Sequence, residues 1–206
     1  MKPVLVTIVL LASTLTAAAA SAQEPVLTQT APAHRSRAGV QLELLPAGKL
    51  VFEGGGFDAS ADTAVAYGIT GTFDYDLLPW LSAGVAPRFV FNVIDAQAGD
   101  GEESRRELDL RARVTASTGL AGKLRAYGFL APGYSILLAP SSDRLGTASG
   151  FVLAFGGGVT YDATPELYLT GELGYQVGFQ NVDTGGLVVG ASTEYLSVGL
   201  GAGKRF

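Results

Sequence analysis

Between residues 167 and 179 the chain alternates without interruption. Leu167, Leu169, Gly171, Leu173, Tyr175, Val177 and Phe179 share one parity, and Tyr168, Thr170, Glu172, Gly174, Gln176 and Gly178 share the other. A period of two marks an extended strand with two unlike faces. The pattern returns along the whole chain. Val40, Leu42 and Leu44 alternate with Gln41 and Glu43, and Val65, Tyr67, Ile69, Gly71 and Phe73 with Ala66, Gly68, Thr70 and Thr72. Leu81, Ala83, Val85, Pro87, Phe89 and Phe91 form a third set, and Leu108, Leu110, Ala112, Val114 and Ala116 a fourth. Residues 124–136 are the least regular, with Arg125, Tyr127 and Ser135 on the polar side. Phe151 to Tyr161 and Leu196 to Phe206 complete the series.

Eight segments of roughly ten residues predict an all-β fold, an eight-stranded antiparallel transmembrane up-and-down barrel. Within these segments the apolar parity carries a single charge, Lys204. Glu43, Asp74, Arg88, Asp109, Arg111, Arg113, Arg125, Glu172 and Arg205 sit on the opposite parity, among many Gly, Ala, Ser and Thr. Small residues suit a crowded barrel interior, whereas a face meant for solvent carries more charge. The polar parity is therefore read as the lumen. The opposite reading is a soluble lipocalin-like binder that turns its apolar parity inward around a hydrophobic ligand.

Composition closes off other classes. The 206 residues are 48% hydrophobic and 16% charged, which is unlike a disordered chain. The absence of Cys excludes disulfides and thiolate metal sites, and a net charge of −5 argues against nucleic acid as a partner. Mean hydropathy is +0.30, yet no run after residue 22 reads as a spanning helix. The longest uncharged runs, Ala126–Ser142 and Leu145–Tyr161, hold Gly128, Pro132, Gly133 and Gly156–Gly158, which weaken helix interiors.

Residues 1–22 have the three-part layout of a cleaved signal peptide: Lys2, an apolar stretch from Val4 to Leu11, and Ala20-Ser21-Ala22 before Gln23. Residues 23–37, with two Pro and the only His, read as a flexible periplasmic tail, and residues 38–206 as the barrel. Connections alternate in length. Asp74–Pro79, Ser117–Gly122 and Asp162–Pro165 are tight turns, while roughly 46–62, 95–106, 139–149 and 180–192 are longer loops. Short periplasmic turns and long external loops are the outer-membrane pattern. Phe73-Asp74 before Pro79, and Tyr161-Asp162 before Pro165, repeat one motif in which Pro is expected to open the next strand. Phe73, Tyr75, Trp80, Tyr161 and Phe206 on the turn side, and Phe91, Tyr134, Phe151 and Phe179 toward the loops, are candidate interfacial aromatics.

On these features, residues 38–206 resemble the small outer-membrane β-barrel family of Gram-negative bacteria, the family of the OmpA transmembrane domain and OmpX. The resemblance implies that Phe206 is a signal for the barrel-assembly machinery. Lys204 departs from it, since the third residue from the end is often aromatic in the family, and nothing follows Phe206 that would be a peptidoglycan-binding domain. It further implies outer-membrane lipid and lipopolysaccharide as surroundings and periplasmic chaperones during biogenesis; the sequence does not give the oligomeric state, and a monomer is the favoured reading.

The candidate site is the set of lumen charges Glu43, Arg88, Asp109, Arg111, Arg113, Arg125 and Glu172. Opposite charges in so narrow a lumen must pair, because a lone buried charge costs several kcal/mol. They form either a structural plug or a gated narrow pore. No cofactor, metal site or catalytic group is expected. The barrel enzymes known to modify lipid A depend on a His, and His34 precedes the first strand; no G-x-S-x-G elbow is present. The loop charges Glu53, Asp58, Asp62, Asp95, Asp100, Glu102, Glu103, Asp143 and Asp183, with Lys49, Arg105, Arg106 and Arg144, read as a solvated surface that could bridge lipopolysaccharide or another cell.

Overall fold

Nine strands follow one another with no helix between them in the described residues, which are 35–54, 57–63, 65–94, 103–138, 147–184 and 187–206 of a computed structural model. They are β1 (Ser36–Gly54), β2 (Phe57–Thr63), β3 (Ala66–Leu78), β4 (Leu81–Ile94), β5 (Glu103–Ala121), β6 (Leu124–Leu138), β7 (Ala148–Asp162), β8 (Leu167–Thr184) and β9 (Leu187–Arg205). The expected signal peptide, the tail as far as His34, and Asp95, Asp100, Glu102, Asp143 and Arg144 lie outside the described residues. So do the side chains of Glu53, Asp58, Glu103, Arg105 and Asp183.

Every neighbouring pair is antiparallel, and β1 pairs with β9 from Arg37↔Arg205 to Glu53↔Gly190, which closes the sheet on itself. β2 and β3 count as one stave, because β1 meets β3 up to Leu45↔Ala66 and then meets β2 from Gly48↔Thr63. The result is the closed eight-stranded antiparallel barrel expected from the alternation. Closure satisfies the backbone groups that an open sheet edge would leave unpaired in lipid.

Side-chain directions agree with the parity along the staves. Val40, Leu42, Tyr67, Ile69, Leu110, Leu173 and Leu200 are exposed on the outer face, while Gln41, Glu43, Thr70, Asp109, Arg111 and Gln176 are buried inside. The outer aromatics at both ends of the staves are exposed, Phe73, Trp80, Tyr161 and Phe206 at the turns and Phe91, Tyr134, Phe151 and Phe179 toward the loops. On β9 the outward positions between Glu194 and Lys204 are all apolar. Ten residue steps span ~33 Å along a strand, or ~25 Å along the membrane normal at a tilt near 40°, which matches the apolar band of an outer-membrane barrel.

Several expectations change. Asp74–Pro79 and Ser117–Gly122 are mostly strand, since β3 runs to Leu78 and β5 to Ala121. The stretches 46–62 and 180–192 are mostly strand rather than loop, since β1 and β8 run on to Gly54 and Thr184 and β2 and β9 return in register with them. The reason on β1 is a bulge between Leu44 and Ala47. It tolerates Pro46, which cannot donate to a ladder, and it reverses the parity, so Leu45 and Leu50 both face inward. Lys204 is not the single outward charge: Lys49, Arg106 and Glu194 are also exposed outward, in stretches expected as loop or left out of the alternation. Pro79 and Pro165 lie in the turns, and the strands open two residues later at Leu81 and Leu167. Finally, β1 begins at Ser36, two residues before the expected barrel start.

Glycine lets large side chains pack across the narrow interior. Tyr127 stands opposite Gly158 and Tyr168 opposite Gly203 in the ladders. A Cβ at Gly158 would come within 2.7 Å of the Tyr127 hydroxyl, and one at Gly203 within 2.3 Å of the Tyr168 ring. Gly122, in the turn between β5 and β6, has a φ of 54°, a left-handed conformation that a side chain disfavours.

Candidate functional site

The inward side chains fall into layers. In the middle of the lumen, Arg88 of β4 is held between Glu43 of β1 and Asp109 of β5. Its Nε lies 2.9 Å from Glu43 Oε2 and its Nη1 3.4 Å from Asp109 Oδ2. Gln176 of β8 crosses the barrel to the same group. Its Oε1 accepts from Arg88 Nη1 at 2.5 Å, and its Nε2 donates to Glu107 Oε1 at 2.9 Å and to Asp109 Oδ2 at 3.2 Å. Arg111 donates to the Ala86 carbonyl, to Gln176 Oε1 and to the Thr70 hydroxyl, each at 3.3 Å. Thr70 in turn donates to Glu43. The Tyr195 ring lies 6.0 Å from the Arg88 guanidinium carbon. Side chains from β1, β5, β8 and β9 thus meet on the Arg88 guanidinium of β4, Thr70 of β3 joins the group through Glu43 and Arg111, and the contacts span the width of the lumen.

Toward the turns lies a second group. Arg113 Nη2 sits 2.5 Å from Glu172 Oε2. Tyr127 donates to the same oxygen at 2.9 Å and shares a 2.8 Å bond with the Thr170 hydroxyl. The Phe129 ring backs the Arg113 guanidinium at 4.3 Å. A cavity of about 40 Å³ borders this group, lined among others by Thr72, Thr115, Thr160 and Asp74.

At the turn-side rim, the two aromatic–Asp motifs hold the terminal strands. Asp74 and Asp76 flank Arg37 at 3.3 and 3.8 Å, and Asp162 bonds Arg205 and lies 3.3 Å from Arg125. Arg37 and Arg205 are direct partners across the β1–β9 seam, so two like charges abut where the barrel closes. Each is compensated by a carboxylate from another stave. Ser36 and Phe206 exchange backbone hydrogen bonds beside them, which fixes the last residue to the first strand.

The structure therefore brings together Glu43, Arg88, Asp109 and Arg111, and separately Arg113 with Glu172. Arg125 does not join either group. Its side chain is 51% exposed and pairs only at the rim. Exposed pairs contribute about 0–1 kcal/mol, so Arg125→Ala is expected to leave the urea midpoint of the folded barrel nearly unchanged. Three partners were missed from the sequence. Glu107 belongs to the inward run Glu107, Asp109, Arg111, Arg113, but it borders a stretch expected as loop. Gln176 carried no charge to draw attention to it. Phe129 faces inward although it is apolar, in the one segment where the alternation is blurred.

On the loop side, apolar side chains pack among buried Glu107, Ser135, Gln180 and Thr193. Leu45, Ala66, Val90 and Tyr195 pack together, Leu137 packs on Ala148, and Val152 is fully buried. Among the described residues no group of acidic or histidine side chains is arranged to hold a metal ion.

The outer membrane protein β-barrel domain model matches residues 7–194. The chain belongs to that family. In fold it is similar to the outer membrane protein OprG from Pseudomonas aeruginosa, with a TM-score of 0.56 at 12% identity, over 84% of this chain and 97% of OprG. It is also similar to the outer membrane protein AlkL, solved in lipid bilayers by solid-state NMR, with a TM-score of 0.50 at 14% identity, over 89% of this chain and 95% of AlkL. No curated protein matches the chain in sequence. Family membership places this barrel in the outer membrane as an integral protein, with the apolar face toward lipid and the polar face in the lumen. The soluble lipocalin-like alternative is thereby set aside.

Proposed function

We propose that this outer-membrane barrel serves a structural and surface-interaction role and that its lumen is plugged rather than conducting. The observation that carries the reading is the Arg88 group, in which contacts from six strands cross the middle of the barrel with side chains at most 6% exposed on Glu43, Arg88, Glu107, Asp109, Arg111 and Gln176. The buried side chains above it, among them Leu45, Val90, Leu137, Val152 and Gln180, support the same conclusion, because they fill the path an ion would take from outside. An eight-stranded barrel has room inside for little more than its own side chains.

The same reading takes lipopolysaccharide as a partner in the outer leaflet, its phosphates met by Lys49 and Arg106; their exposure near the loop ends supports this. Phe206, tied to Ser36, is the expected assembly signal for the barrel-assembly machinery after periplasmic chaperones release the chain. No catalytic role is assigned to the lumen, since the single histidine of the chain lies outside it in sequence at residue 34.

Planar-bilayer recording of the purified protein tests the plug. The expected result is no stable current steps. Reproducible ohmic steps would favour the narrow pore instead, with the Arg113–Glu172 pair beside the cavity as its gate.

A further inference from the structure

Solvent exposure inside the barrel falls in one direction. From the turn side inward, side-chain exposure is 20% at Arg37, 8% at Asp74 and Glu172, 7% at Arg113, and 1% at Arg88. Past Arg88, toward the loops, it stays low through Val90, Ser135, Leu137, Val152, Gln180 and Thr193. We propose that the cavity beside Arg113 and Glu172 is a blind chamber open to the periplasm and that it binds water and nothing larger. This inference rests on the plugged-barrel reading and adds to it where periplasmic water enters the lumen.

Three features define what the chamber takes. Its volume of about 40 Å³ accommodates on the order of three waters. Its walls present hydroxyls of Thr72, Thr115, Thr160, Thr170 and Tyr127, which both donate and accept. Its charges balance, Arg37 and Arg113 against Asp74 and Glu172, so it offers no net attraction to an ion of either sign. Asp74 supplies the demand for water. Its side chain is nine-tenths buried, it lines the chamber, and Oδ1 has no hydrogen-bond partner within the protein. A buried carboxylate oxygen left unpaired is costly, and a water bridging it to the threonine hydroxyls removes that cost.

The loop-side half lies deeper from the periplasm, and Ser135, Gln180, Thr193 and Tyr195 are all buried there. Ser135 makes its bonds within the protein, donating to Glu107 and accepting from Gln180.

Water-edited solid-state NMR on the full-length protein in lipid bilayers, labelled at Thr, Ser and Tyr, reads this directly. Water magnetisation is expected to reach Thr170 and Tyr127 several-fold faster than Ser135 and Tyr195. Equal build-up at Thr170 and Ser135 would overturn the one-sided chamber. Slow build-up at both would show the cavity to be dry and overturn it as well. The bilayer recording separates the two levels: current steps refute the plug itself, whereas a silent barrel with a dry Thr170 refutes only the chamber. Thr160→Val offers a second check on the same readout. It removes a chamber hydroxyl and should slow the transfer to Thr170 while leaving Ser135 unchanged; no change at Thr170 would count against the chamber.

Discussion

Arg88→Leu is expected to lower the stability of the folded barrel by about 3–5 kcal/mol, the cost of leaving a buried charge without its partner. Arg88 is the largest fully buried side chain in the barrel, and its guanidinium is the cation lying between Glu43 and Asp109. Removing it leaves three carboxylates in the group, those of Glu43, Glu107 and Asp109, facing Arg111, which reaches them mainly through Thr70 and Gln176. Leucine fills much of the space, so the loss reports charge rather than a cavity. Urea titration in detergent or lipid, followed by the unboiled gel band, measures it. A loss under about 1 kcal/mol, as for an exposed pair, would mean the group does not hold the lumen together. Replacing Glu43, Arg88 and Asp109 together by apolar residues should cost less than Arg88→Leu alone, because two of the three carboxylates that Arg88→Leu strands are then gone and Glu107 and Arg111 balance in charge.

Leu200→Arg is expected to cost about 2–4 kcal/mol in a bilayer, since arginine on the lipid face is penalised most near the midplane. Leu200 is 71% exposed, the most exposed large apolar side chain among the described residues, and it lies on β9 between the outward charges Glu194 and Lys204. The native Lys204 shows the contrast. Close to the turn side, it pairs with Glu166 at 3.5 Å and lies 5.6 Å from the Phe206 ring, at a depth where a cation costs little. Were this face in water, Leu200→Arg would change stability by no more than about 0.5 kcal/mol. Folding yield into vesicles and the urea midpoint distinguish the two.

The fold was legible because a barrel's two faces are written as a period of two, and β8 and β9 show it over most of their length. Legibility failed where geometry departs from that period. The Pro46 bulge reverses parity, so the upper half of β1 resembled a loop. In β6, Gly128 and Gly133 carry no polarity signal, and the apolar Phe129 shares the inward parity of Tyr127 and Ser135, where its ring backs Arg113. The candidate site was legible as a list of charges but not as groups. Alternation places a residue inside without giving its height or its neighbour across the lumen, and these depend on register between strands. Register is what separates Arg125 at the rim from Arg111 in the middle, and what brings Gln176 to both Arg88 and Glu107. The aromatic–Asp repeat was visible twice in the sequence, yet its use, neutralising Arg37 and Arg205 at the closing seam, required knowing that β1 meets β9.

The most direct test of the whole account is to fractionate the expressing cells and run the protein on gels with and without boiling. Recovery in the outer membrane, with an unboiled band that migrates apart from the boiled one, is the predicted result, because a closed barrel with a lipid-facing apolar surface resists detergent until heated. Release into the soluble periplasm with a single band would contradict it, and would turn the apolar face inward.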